Sequence, residues 1–190
     1  MKNINIILVI LLLFTSSSIF GQRKKVIKLT GKLISNNEVQ CITEERTNPD
    51  SKTDSIIVKT CLWHNYKFVM TGIPDYRGRY GYAYELFFID KEQQKKITNS
   101  GLFNEKINKL EDLINEIIKN DFDNYKSDPG LSNCLDGVKF KRFKMDDMGI
   151  SFNERNEIEF NVTFGLGQAC YNDDGTSVSF DMSDLKEYLK

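Results

Sequence analysis

A single histidine, His64, serves the whole chain of 190 residues, and that scarcity excludes a good deal of chemistry. A zinc-protease helix needs two histidines one turn apart, so that site is ruled out. Neither sign of charge is in surplus: 26 lysines and arginines stand against 27 aspartates and glutamates, a net charge of −1. No strong field therefore draws nucleic acid or an anionic membrane, and the aromatics do not fall in a basic patch. The chain also lacks a Gly-x-Ser-x-Gly elbow, a Walker loop and a Gly-x-Gly-x-x-Gly turn; Gly165 and Gly167 alone do not make a nucleotide site. No cofactor is expected. Asp121 and Asp123 begin as a calcium loop begins, but Tyr125, Lys126 and Ser132 then occupy ligand, glycine and glutamate positions. No metal-ligand set is predicted, and a calcium held partly by backbone carbonyls would leave no sequence signature. Ser183 and Lys186 match a Ser-x-x-Lys pair, without the Ser-Asp-Asn and Lys-Thr-Gly partners that such enzymes carry.

What is present starts with a leader. Lys2 precedes an apolar run from Ile4 to Phe14 broken only by Asn5, and Thr15 to Ser18 lead into Ile-Phe-Gly-Gln at 19–22. That order predicts a cleaved signal peptide over residues 1–21, cut after Gly21, with Ser18 as the next choice. The run is shorter than the about 20 residues a membrane span needs, so no span is expected after cleavage; a retained anchor is the alternative. The expected location is the periplasm or outside the cell. The Phe20-Gly21-Gln22 ending resembles signal peptides of Bacteroidetes-type bacteria.

Residues 22–190 are read as one α+β domain, with two intimate halves, 22–97 and 98–190, as the other division. Hydrophobic residues make up 40% and aromatics 12%, enough for a core and too much for a disordered chain. All four cysteines, Cys41, Cys61, Cys134 and Cys170, follow the leader. An even count in an oxidising compartment predicts two disulfides, although four cysteines allow three connectivities. The pairing 41–61 with 134–170 is preferred because each bridge stays within one half. Each closed loop would contribute roughly 3–4 kcal/mol in the chain-entropy model.

Cys61-Leu62-Trp63-His64 is the most reactive-looking stretch. Strand residues three apart point to opposite faces, so Cys61 and His64 do not naturally meet. The stretch is read as a stapled hairpin in which Trp63 packs on the bridge side.

Strands are expected at 26–34, 39–43, 55–63 and 66–71, with a polar loop over 44–55 and a turn built from Gly72, Pro74, Asp75 and Gly78. From Tyr80 the chain alternates: Tyr80, Tyr82, Tyr84, Leu86 and Phe88 share one face. The expected role of this stripe is a half-buried strand face packed under a helix; the alternative is a platform on which carbohydrate stacks. A helix follows, capped near Thr98, Asn99 or Ser100, with Phe103, Ile107, Leu110, Ile114 and Ile117 along its apolar stripe and Leu113 and Ile118 widening it. Pro129-Gly130 ends it. Strands return at 138–145, 149–152, 157–164 and 177–182. Asn172-Asp-Asp-Gly175 is expected as the turn before the last strand, and Ser183 as the cap of a helix over 184–189. The order argues for antiparallel sheet packed by one long amphipathic helix.

The C-terminal stretches Phe143-Lys-Met-Asp-Asp-Met-Gly-Ile-Ser-Phe-Asn153 and Ser177-Val-Ser-Phe-Asp-Met-Ser-Asp-Leu-Lys-Glu-Tyr-Leu-Lys190 carry a family likeness. Over residues 102–190 the chain resembles the C-terminal module of exported lysozyme-binding anti-sigma factors, and a related module beside peptidoglycan deacetylases. Gly149, Ile150, Phe152, Ser183 and Leu185 occupy the matching places. The family's tyrosine-proline segment is missing. The resemblance implies an extracytoplasmic α+β fold and binding of a lysozyme-like hydrolase.

The function expected from all this is an exported, non-enzymatic binding protein of a bacterial cell envelope. It would act as an inhibitor or immunity factor against a hydrolase or toxin, with a protein partner in the envelope or outside the cell. The expected contact surfaces are the loops 44–54 and 72–79, with Tyr76, Arg77 and Arg79 the side chains that interfaces favour; an ordinary exposed turn is the alternative. The other functional reading is a carbohydrate-binding protein or envelope enzyme using Tyr80, Tyr82 and Tyr84.

Overall fold

A computed structural model describes residues 39–48, 55–75, 77–128, 132–166, 170 and 175–190. The leader, the strand expected at 26–34 and Tyr76 lie outside them.

The N-terminal strands form a five-stranded antiparallel meander: β1 (Gln40–Thr47), β2 (Ser55–Trp63), β3 (Tyr66–Pro74), β4 (Tyr80–Asp90) and β5 (Gln93–Ile97). One row of side chains crosses all five, because Cys41 lies opposite Cys61, Cys61 opposite Phe68, Phe68 opposite Leu86 and Leu86 opposite Ile97. The Cys41–Cys61 disulfide closes one end of that row.

Two features of this sheet depart from the sequence reading. β1 continues through Thr47, into the stretch expected to be loop, because Glu44 to Thr47 pair with Val58 to Ser55. β5 was not expected at all; Gln-Gln-Lys-Lys-Ile has no apolar alternation. It is an edge strand among the described residues, where polar and lysine side chains suit the exposed rim.

The second sheet, also antiparallel, contains β6 (Gly149–Phe152), β7 (Ile158–Val162) and β8 (Thr176–Phe180) in that order. Its register separates two faces. Ile150, Phe152, Ile158, Phe160, Val162 and Val178 are buried on one. Gly149, Ser151, Glu159, Asn161, Ser177 and Ser179 form the other. The long helix α1 (Ile107–Ser127) buries Leu110, Ile114, Ile118 and Phe122, and its Phe122 ring meets Phe164 edge-on at 5.3 Å. The sheets meet where the Phe68 ring abuts Phe152 at 4.9 Å. One hydrophobic core draws on both sheets and on α1.

The helix begins later than expected, at Ile107, and runs to Ser127, short of Pro129-Gly130. Residues 99–102 make a single 3-10 turn, and Phe103 is buried in a lone bridge to Leu189. Asn104, rather than Thr98 to Ser100, supplies the oxygen at the start: its Oδ1 accepts from the Lys106 amide at 2.9 Å. Its Nδ2 donates to the Glu187 and Leu189 carbonyls. Leu113 faces outward at 40% exposure and does not widen the stripe.

The strand expected at 138–145 does not form. Its backbone bonds are taken by helix side chains: buried Asn115 donates to the Phe143 carbonyl at 2.9 Å and accepts from its amide at 2.8 Å. Glu111 accepts from the Met145 amide at 2.9 Å. The short helix α2 (Ser132–Leu135) carries Cys134, whose disulfide to Cys170 ties it to the β7–β8 connection. The terminal helix α3 (Met182–Leu185) starts at Asp181 instead of Ser183 and stops at Leu185. Most of the 172–175 turn lies outside the described residues; Gly175 is described.

Candidate functional site

The Cys61–His64 pairing is not brought together. Cys61 is bonded to Cys41 and almost fully buried. His64 lies with Asn65 in the two-residue turn between β2 and β3, in the left-handed region at φ 49°. Its ring meets the Trp63 indole edge-on at 4.6 Å, and Trp63 stacks on Tyr66 at 5.9 Å. These aromatics line a broad cleft of about 1070 Å³ with Asp181, Ser183, Lys186 and Lys190. Ser183 and Lys186 thus share a cleft with His64, an adjacency that their distance in sequence concealed.

The expected interface turn is tightly self-bonded. β3 continues through Gly72 to Pro74, so the turn proper is Asp75 to Arg79, with Gly78 left-handed at φ 77°. The Asp75 carboxylate accepts from the backbone amides of Arg77 and Arg79 at 2.8 and 3.0 Å. Its other oxygen accepts from Arg79 Nε and Nη2 at 3.0 and 2.8 Å. Partial burial pushes this carboxyl up, but the Arg79 and Arg77 hydrogen bonds and the Arg79 charge outweigh that and hold it below the usual carboxylate range. The Arg79 fork is therefore occupied within its own turn, while Arg77 is exposed.

The tyrosine stripe builds the other cleft, of about 490 Å³. Two glycines set its rings. Gly72 lies opposite Tyr82 in the sheet, and a methyl group there would fall 2.9 Å from the Tyr82 ring and 3.2 Å from the Tyr80 ring. Without one, both rings come close to Gly72, nearly parallel to each other at 24° with centres 6.3 Å apart. Tyr82 keeps 51% of its surface exposed. Gly149 does the same from the second sheet, since a methyl there would fall 2.3 Å from the Tyr84 ring. Burial, the nearby Glu159 carboxylate and neighbouring Tyr82 push the Tyr84 phenol up to about 12.

The second sheet supplies the opposite wall: Asn161, Thr163 and Ser177 stand on its polar side, Thr176 lines the wall while its hydroxyl turns to α1, and Asp147 lies at one end. Its polar side chains are bonded to one another along the same face. Ser177 donates to Glu159 at 3.1 Å, Ser151 donates to the same carboxylate at 3.3 Å, and Asn161 donates to Ser151 at 3.2 Å. Thr176 donates to Asp121 of α1 at 2.9 Å.

The tyrosines were legible as a stripe. The glycines under them and the wall facing them were not, because Asn161 and Ser177 are remote from the tyrosines in sequence. The stripe is not buried beneath the helix, as its structural reading expected; only its Leu86 end is fully buried.

Among the described residues, no three histidine, cysteine, aspartate or glutamate side chains converge as a metal site. No helix among them is long and apolar enough to cross a membrane. Comparison with protein-family models, curated proteins and solved structures finds no match to this chain.

Proposed function

We propose that the protein is an exported binding module, acting by holding a ligand rather than by transforming one, and that the tyrosine cleft is its binding site. The observation that carries this is the Tyr80–Tyr82 pair, whose near-parallel rings come against Gly72 and line a polar-walled cleft, with Tyr82 half exposed. Exposed aromatic faces forfeit burial, and concave sites that combine aromatic surface with a few placed polar groups are where ligands bind. Two disulfides suit a protein that folds in an oxidising compartment. The Asp75–Arg79 turn gives less support to recognition of a protein partner, because Arg79 already pairs with Asp75.

Retention on envelope material tests the reading. Wild-type protein incubated with an envelope extract from its own source should be recovered with a bound component, and the Tyr80→Ala/Tyr82→Ala variant should recover much less. Equal recovery by both would remove the cleft as the site.

A further inference from the structure

The chemistry of this cleft selects among ligand classes. Its lining includes Asp147 as the single charged side chain and no lysine or arginine, and the Glu159 carboxylate stands on the same face of the sheet as Asn161 and Ser177. An anionic ligand would enter against like charge with no cation to pair it. A largely apolar ligand would strip water from Asn161, Thr163 and Ser177 without meeting their remaining hydrogen-bonding capacity, at a desolvation cost for each. A quaternary ammonium group wants aromatic faces around it. Tyr80 and Tyr82 instead form one near-parallel pair, 24° apart with centres 6.3 Å from each other, which does not surround a cation.

What remains is a ligand with flat apolar faces and a rim of neutral groups that both donate and accept. Resting on the reading of the tyrosine cleft as the binding site, we infer that its ligand is an uncharged saccharide chain. The pyranose rings would lie against Tyr80 and Tyr82, with their hydroxyls turned toward Asp147, Asn161, Thr163 and Ser177. The side chains of that wall are hydroxyl, amide and carboxylate, the groups that match sugar hydroxyls as donors and acceptors. The Glu159–Ser151–Asn161 bonds fix part of the wall before a ligand arrives, which lowers the ordering cost of binding. Tyr82 contributes its exposed ring surface, so its phenol hydroxyl is dispensable.

Calorimetric titration with a panel of probes tests this: neutral gluco-, xylo-, manno- and N-acetylglucosamine oligosaccharides, an oligogalacturonate, and tetramethylammonium. A neutral oligosaccharide should bind, Tyr82→Ala should weaken it by about tenfold or more, and Tyr82→Phe should keep it within about twofold. Thermal melts of both variants, expected to match wild type, exclude misfolding as the cause. Preference for the anionic probe or the ammonium ion overturns the ligand class. So does binding of no neutral probe while envelope retention still depends on the tyrosines; in that case the cleft survives as the site. Undiminished binding by Tyr82→Ala overturns both.

Discussion

Tyr80, Tyr82 and Tyr84 lie on the same face of β4 as Leu86 and Phe88, yet the two ends of that face have different environments. Leu86 is buried, with Phe68 of β3 opposite it and Ile97 of β5 on the other side. Phe88 meets Tyr66 edge-on at 5.5 Å. Toward the other end the second sheet diverges: Gly149 of β6 still touches Tyr84, while Tyr82 is half exposed. The alternation that marks a buried strand thus continues without a break into a surface that is left open. Period-two patterning specifies which side chains share a face, and tertiary packing decides how far along the strand that face is covered.

The largest effect should come from the covered end. Leu86→Ala removes a buried side chain from the row that runs to the disulfide and should cost about 2–5 kcal/mol by denaturant unfolding. A loss well below that range would mean that the two ends of β4 are less different than their burial implies.

The next effect is at the junction. A methyl group at Gly149 meets the Tyr84 ring, so Gly149→Ala should cost about 1–3 kcal/mol in the same assay. It should also move the ring that forms one side of the cleft. A neutral outcome would show that Tyr84 turns aside freely.

Alkaline titration sharpens the comparison further. The folded state holds the Tyr84 proton more tightly than the unfolded chain does, since burial lifts this phenol from 10.0 to about 12. That contribution to stability is complete below pH 10 and is lost as the pH climbs through 12. Absorbance of tyrosinate should show a late-ionising component in wild type that Tyr84→Phe reduces, leaving the contribution of Tyr66, which burial also raises. Titration of every tyrosine in one step near 10 would contradict the buried position of Tyr84.

The smallest effect belongs to the open end. Tyr82→Ala should change stability by no more than about 0.5 kcal/mol, as expected for an exposed side chain with no structural task. A loss comparable to Leu86→Ala would make Tyr82 part of the core and remove the reason for treating it as a binding surface.

The regular elements were legible where one face is buried. β2, β4 and β7 follow from alternation and β-branched or aromatic content, and both disulfides agree with the preferred pairing. β5 was hidden because an edge strand needs no apolar face, and residues 138–145 misled because Asn115 and Glu111 take the place of a neighbouring strand. The start of α1 was misplaced because Thr98 and Ser100 look like caps, whereas Ser100 bonds Asp146 in a separate turn. In the cleft, the tyrosines carried a local signal. Gly72 read as a turn residue, and nothing near Asn161 or Ser177 in sequence hints that they face Tyr80.

The most direct test of the account is a nitrogen-edited NMR titration of wild-type protein with a neutral oligosaccharide that binds. Shifts should concentrate at residues 80–84, 147–149, 161–163 and 175–177, leaving His64, Ser183 and Lys186 unmoved. Shifts gathered at the His64–Ser183 cleft would contradict the claim that the open end of β4 is where this protein binds.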